Sequence, residues 1–315
     1  MSSFKAIEHF ESREGWSVRW MCKALGVSRS GYYAWKKHIP TPEELENEQL
    51  LVIIRGYDDL YGHIFGYRRM TGSINRLNGT SYTEKRIRRL MWKNGIRSIL
   101  SHKRSKPKKS APEMVNENIL GRVFTSSRPN EKWLTDVTEF KIYEGDRVYK
   151  IYLCLILDLY DRSVVGHTIS IRNDQELVHK TLDKALAANP GARPILHSDR
   201  GSPYTQKIFQ EKLTSLGIVH SMSRVGHCID NGPMEGFWGQ LKNEMFYPRK
   251  YRSRQELKDG IKKYIDFYNN DRYQSRFGYQ SPLEVRAAAM KTENPVQYPI
   301  PPNRRIERYK ASWKR

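Results

Sequence analysis

The feature that most constrains this chain is a change of pattern at Glu131. From there KWLTDVTEFKIYEGDRVYKIYLCLILD and SVVGHTISI read as three strands in succession, with a hairpin turn around Glu144-Gly145-Asp146. The pattern then alternates through the helix QELVHKTLDKALAAN, a short apolar strand ending in HSD, the helix TQKIFQEKLTSLG and the strand IVHSM. The loop SRVGHCIDNG and a last helix from Gly232 follow. Three antiparallel strands and then helix–strand alternation predict a mixed α/β sheet of five strands with flanking helices. The apolar run Tyr152–Leu157 is too short to span a bilayer and reads as a strand buried on both faces.

Three carboxylates stand out within this pattern. Asp136 lies in the first strand, Asp199 just after the fourth, and Glu235 at the start of the last helix, which Gly232-Pro233 announces. Between Asp199 and Glu235 lie 35 residues. Carboxylate oxygens suit hard divalent cations, and two such ions about 4 Å apart clamp both oxygens of a phosphoryl transfer. On the Glu235 helix, Met234, Trp238, Leu241 and Met245 make the buried stripe, and Glu235, Gly239 and Lys242 the neighbouring one.

Four blocks carry a resemblance: TDVTEF at 135–140, LDLYDRSVVG at 157–166, HSDRGSPYT at 197–205 and SMSRVGHCIDNGPMEGFWGQLKNE at 221–244. YNNDRYQSRFGYQSPLEV at 268–285 extends it, and MCKALGVSRSGYYAW at 21–35 matches the family's start. In this order and spacing the chain resembles the second-reading-frame transposases of insertion-sequence family three, with their integrase-type D,D,E core. The resemblance implies a ribonuclease-H-like sheet whose first and fourth strands are neighbours, preceded by small all-α helix-turn-helix-like domains. It implies that Asp136, Asp199 and Glu235 are catalytic and bind two Mg²⁺ ions, with Mn²⁺ as a substitute. Lys242 takes the place of the family's basic DNA contact, and His197 and Asn231 flank the carboxylates as orienting groups. Asp158 recurs in its block without an assigned role. The implied partner is double-stranded DNA, both the element's terminal inverted repeats and the target, held by a homo-oligomer in the bacterial cytoplasm at the nucleoid. An upstream reading frame, fused by frameshifting, usually completes the family's proteins with a leucine zipper. This sequence shows no sustained heptad run, so the zipper is expected from that partner.

Charge supports a polyanionic partner. The net charge is +21, of which residues 1–130 carry +12 and residues 246–315 carry +10, while residues 131–245 carry −1. Basic flanks thus surround a near-neutral middle that holds all three acids. The sequence divides accordingly into a helix-turn-helix-like region at 1–45, a second helical DNA-binding region at 46–100, a basic linker at 101–130, the catalytic core at 131–247 and a basic helical region at 248–315. In the first region Ser28 is a helix cap, and Arg29, Ser30 and Tyr32 face a DNA groove. An acidic start at Glu43–Glu48 opens a helix of about a dozen residues. In the second region Ile87, Leu90 and Met91 form an apolar face, leaving Arg86, Arg88, Arg89 and Lys93 for phosphate. Three scattered cysteines, Cys22, Cys154 and Cys228, argue for reduced thiols in a cytosolic protein, and His227 beside Cys228 reads as a loop coincidence. A stand-alone nuclease of the same fold and a non-catalytic DNA-binding regulator are the alternative readings.

Overall fold

The computed structural model describes residues 3–100, 119–121, 123–145, 147–223 and 231–299. The contacts divide the chain into two units, Met1–Tyr57 and Asp58–Arg315. The first contains α1 (Ser3–Glu14), α2 (Val18–Ala24) and α3 (Arg29–Lys36), and α4 (Pro42–Leu60) carries the chain past the division. Ser17 and Ser28 cap α2 and α3 by accepting from the Trp20 and Gly31 amides, and Gly26 turns the chain between them at φ +63. Ile7, Val18, Met21, Cys22 and Tyr32 make the small core of this unit. The fourth helix runs 19 residues, longer than its acidic start suggests, because the following apolar stretch continues its helical pattern without a proline. The 45/46 boundary read from the sequence therefore falls inside a helix.

The second unit begins with a helical pair, α5 (Tyr67–Asn78) and α6 (Glu84–Lys93). Gly79 ends α5 in the left-handed region, and the Thr83 hydroxyl caps α6 at the Arg86 amide. The Asn75 side chain zips the turn, donating to the Tyr82 carbonyl and accepting from the Tyr82 amide, both at 2.8 Å. Ile87, Leu90 and Met91 are buried, as their spacing requires.

Then come β1 (Lys132–Glu144), β2 (Arg147–Asp158), β3 (Val164–Ser170), α7 (Gln175–Ala188), β4 (Ile195–Ser198), α8 (Ser202–Thr205), α9 (Lys207–Ser215), β5 (Val219–Met222) and α10 (Gly232–Leu241). The chain continues through α11 (Arg254–Asn270) and α12 (Pro282–Ala289). The five strands form one sheet in the order β3-β2-β1-β4-β5. The hairpins β1–β2 and β2–β3 are antiparallel, and the pairs β1–β4 and β4–β5 are parallel. This is the ribonuclease-H-like mixed sheet expected from the pattern. Helices cover both of its faces. Ile151, Leu153, Leu155 and Leu157 point into a core shared with α10 and α11, and Cys154 and Ile156 into one shared with α7 and α9. The unbroken apolar run of β2 follows from this double burial.

The third strand can approach α7 closely because residue 166 lacks a side chain. A Cβ at Gly166 would lie 2.8 Å from both the Ala185 Cβ and the Thr181 carbonyl oxygen. Gly166→Ala is therefore expected to cost about 1–3 kcal/mol by forcing α7 off the sheet. Urea unfolding checks this, and an unchanged midpoint would show that the helix gives way freely.

The sequence reads residues 101–130 as a basic linker. Residues 101–118 lie outside the described residues, but Leu120 is 3% exposed within the sheet core and its amide donates to the Ser221 hydroxyl at 3.1 Å. Leu120 is buried in that core and Phe124 packs partly buried against it, while Ile119 and Val123 stay exposed. His227, Cys228, Asp146 and the tail from 300 onward also lie outside the described residues. Cys22 and Cys154 are buried and unpaired. No helix among the described residues is long and apolar enough to cross a membrane.

Candidate active site

The site is built from the middle of the sheet and one helix laid across it. The parallel β1–β4 register pairs Lys132 with Ile195, Trp133 with Leu196 and Leu134 with His197. Carried two residues further, the same offset sets Asp136 beside Asp199, where β4 has just ended. Strand pairing thus converts a separation of 62 intervening residues into neighbouring carboxylates. The tenth helix brings Glu235 on its first turn. Its expected stripe of Met234, Trp238, Leu241 and Met245 is buried, and Phe237 joins it.

Each aspartate is held by a backbone amide: Val137 donates to Asp136 Oδ1 at 2.8 Å, and Gly201 to Asp199 Oδ1 at 2.9 Å. The other oxygen of Asp136 accepts from the indole Nε1 of Trp238 at 2.9 Å. This bond pins the helix carrying Glu235 to the strand carrying Asp136. The sequence showed Trp238 only as core. Its polar edge is the signal: a buried indole N–H takes a partner, and position 238 lies one turn beyond Glu235.

The electrostatics of the cluster disfavour its charged form. Burial pushes the Asp136 carboxyl above the usual range, and the charges of Asp199 and Glu235 push it further, against the two hydrogen bonds. Burial also raises Asp199, with the Gly201 amide pulling back. Among the described residues, the ligand atoms of Asp136, Asp199 and Glu235 do not all lie within 4.8 Å of one another, whereas those of Asp58, Asp59 and His63 do. Three like charges at one sheet end hold each other apart, and a hard divalent cation is the partner their oxygens fit.

Lys242 lies at the junction where α10 passes into a wider turn, Lys242–Phe246, closed by the Tyr247 amide on the Lys242 carbonyl at 2.8 Å. Its ammonium rests 5.4 Å from the Phe140 ring centre. Burial lowers its pKa, while the charges of Asp136 and Glu139 raise it. Lys242 is therefore in electrical reach of the carboxylates, on the side read from the helix.

His197 and Asn231 are the two groups read from the sequence as orienting the carboxylates. His197 is fully buried, and its two ring nitrogens meet the Ser221 and Ser223 hydroxyls at 2.9 and 3.1 Å. Its ring ties β4 to the next strand. Asn231 is the residue before α10, buried, and its Oδ1 has no hydrogen-bond partner. Asp158 takes a structural part: it is fully buried and accepts from Arg286 at 3.1 Å, from Trp133 Nε1 at 3.2 Å and from the Asn130 amide at 2.7 Å.

Among the expected DNA contacts one fails. Tyr32 is 0% exposed in the core of the first unit and donates to the Glu11 carboxylate, so it cannot enter a groove. A tyrosine at helical spacing from apolar neighbours is drawn inward when its hydroxyl finds an acceptor. Arg29 and Ser30 are exposed. Arg88, Arg89 and Lys93 are exposed on α6, while Arg86 is half-buried against the Tyr82 ring at 5.2 Å.

Comparison with known proteins places the chain among related families. The integrase core domain family matches residues 126–228, a second integrase core domain family residues 235–298, and the HTH-like domain family residues 44–104. The chain is 34% identical over 277 residues to the putative transposase InsK for insertion sequence element IS150 of Escherichia coli K12, covering 88% of this chain and 95% of the relative. It is 30% identical over 272 residues to the transposase InsF for insertion sequence IS3A of the same organism, covering 84% and 92%. Among solved structures, the HTLV-2 integrase catalytic core domain in complex with magnesium is 22% identical, with a TM-score of 0.38 over 50% of this chain and 95% of that one.

Proposed function

The chain belongs to the transposases of insertion-sequence family three, and from that premise we propose that Asp136, Asp199 and Glu235 cut and join DNA strands with two divalent cations. It is a DNA transposase, with an integrase core and an HTH-like domain. The observation that carries the metal reading is the β1–β4 register, which points Asp136 and Asp199 at one sheet end, with the charge of Glu235 felt there.

Asp136, Asp199 and Glu235 would hold Mg²⁺, with Mn²⁺ as a substitute, and the bound cations would activate a water or 3′-hydroxyl nucleophile and offset charge on the leaving oxygen. The protein's own groups do the rest. Trp238 and the Val137 amide hold Asp136 in one orientation, and the Gly201 amide holds Asp199. Lys242 draws a backbone phosphate towards the acids. Arg29, Ser30, Arg86, Arg88, Arg89 and Lys93 supply contacts along the duplex. A first cut exposes a 3′-hydroxyl at an element end, which attacks the other end or the target. Two ends held at once imply at least two subunits on DNA.

The test uses duplexes carrying the inverted repeats that bracket the reading frame. Incubated with the protein in Mg²⁺, they should yield joined strands, and EDTA should stop the reaction. Cut ends without joined products would leave a nuclease instead.

Lys242→Ala is expected to weaken binding to element ends and slow joining without unfolding the core. Loss of one phosphate contact should flatten the slope of log affinity against log salt by about 0.9. An unchanged slope with an unchanged joining rate would make Lys242 a mere surface cation.

A further inference from the structure

A recess of about 850 Å³ lies away from the carboxylates, between the start of α5 and the loop 272–279. That size is typical of sites for small ligands, roughly 300–1,000 Å³. Its wall carries four guanidiniums, of Arg68, Arg69, Arg272 and Arg276, and one carboxylate, Glu84. Glu244 beneath it takes Arg272 at 2.7 Å and Arg69 at 3.2 Å, so the recess keeps a positive excess. The rim residue Arg68 is exposed and meets Glu84 only at 3.6 Å.

Two further features favour an anion. The fifth helix begins here at Gly66 with no side-chain cap, and Gly66, Tyr67, Arg68 and Arg69, its first residues, line the recess. A helix start presents amide N–H groups and the positive end of the dipole to an incoming anion. In the facing loop, Gln274 Nε2 and Arg276 Nε are buried donors with no hydrogen-bond partner. An unmet buried donor is unfavourable, and an acceptor entering the recess would satisfy it.

The two walls are fixed to each other. Tyr279 packs so tightly on α5 that a Cβ at Gly72 would lie 2.0 Å from its ring. Arg76 donates to the Tyr279 carbonyl at 2.9 Å, and its guanidinium lies 4.7 Å from the Tyr273 ring centre. The loop is closed by the pair Gln274 and Gln280. Such a recess is preformed and lined by flat groups, tyrosine rings and guanidinium planes, on which bases stack.

We infer that this recess is a second DNA site, holding one phosphate and its unpaired nucleotide from a single-stranded stretch. The phosphate sits at the α5 start with Arg68 and Arg276, and the Gln274 amide donates to the nucleotide. A duplex wall cannot enter a space of this size, whereas a splayed nucleotide fits. The inference rests on the transposase reading only in taking DNA as the polymer met, and its test needs no strand joining.

The test measures binding of the full chain, in EDTA, to a six-nucleotide oligothymidylate, to thymidine monophosphate and to a blunt duplex. Arg68→Ala and Gln274→Leu are each expected to weaken the oligothymidylate complex at least about tenfold and to change duplex binding less than about twofold. Arg68 is exposed, so its variant folds. Gln274→Leu removes the amide and keeps the apolar stem, so a merely structural role would shift the unfolding midpoint and leave binding intact. Oligothymidylate affinity unchanged in both variants would overturn the inference, as would thymidine monophosphate binding that neither variant weakens. If the variants lose single-strand binding yet the wild type joins no ends in Mg²⁺, the transposase chemistry fails while this site stands.

Discussion

Asp136→Asn, Asp199→Asn and Glu235→Gln should each reduce strand cleavage and joining by about 10³-fold or more, equivalent to at least about 4 kcal/mol of barrier. The amides keep the shape of the side chains and remove the charge that a hard cation needs. Binding of DNA, which rests on cations elsewhere, should survive. The variants also carry a control for folding. Asp136 stands above the usual carboxylate range because burial and like charges disfavour its ionised form. Neutralising it relieves repulsion, so the thermal midpoint of Asp136→Asn should stay level or rise while activity vanishes. Normal joining by any one variant in Mg²⁺ would remove that residue from the proposed metal site. A lost activity accompanied by a lost fold would leave its role unsupported.

The second large effect is structural. Glu244→Ala is expected to destabilise the protein by about 3–5 kcal/mol. Glu244 is 5% exposed and accepts from Arg272 at 2.9 and 2.7 Å, from Arg69 at 3.2 Å and from the Tyr264 hydroxyl at 2.9 Å. Truncating it strands two guanidiniums without their carboxylate. Burial alone would raise Glu244, but Arg272 and Arg69 outweigh it and hold the carboxyl below its ordinary value. A depressed carboxyl contributes stability that is fully present above the unfolded value, about 4.3, and is lost as pH falls through the lower folded value. Wild type should therefore lose more stability than Glu244→Ala on acidification below about pH 4.3. Equal unfolding midpoints at pH 7 would refute the account of this cluster.

The same carboxylate shows how far local pattern could reach. Helical spacing marked Met245 as core and stopped there, because a regular helix would turn Glu244 to solvent. The wider turn Lys242–Phe246 adds a residue and lets Glu244 and Met245 both face inward. Arg69, its partner, lies 175 residues away. Tyr32 failed for a related reason: a helix-turn-helix reading offers every residue of the second helix to DNA, yet one side of that helix must be core. By contrast, Leu257, Ile261, Tyr264, Ile265 and Tyr268 recur at helical spacing and are all buried, since a single amphipathic period decides them.

The sequence alone determined the strands, the helices with their apolar stripes, the uneven charge and the spacing of the three acids along the chain. Those properties arise from periods of two and 3.6 residues, from turn chemistry and from spacing along the chain. The tertiary structure decided which groups meet: Trp238 with Asp136 across 102 residues, His197 with the β5 serines, Arg286 with Asp158, and the recess walled by α5 and its distant loop. Burial and hydrogen-bond partners depend on what the whole fold packs around a side chain, and no local period carries that information.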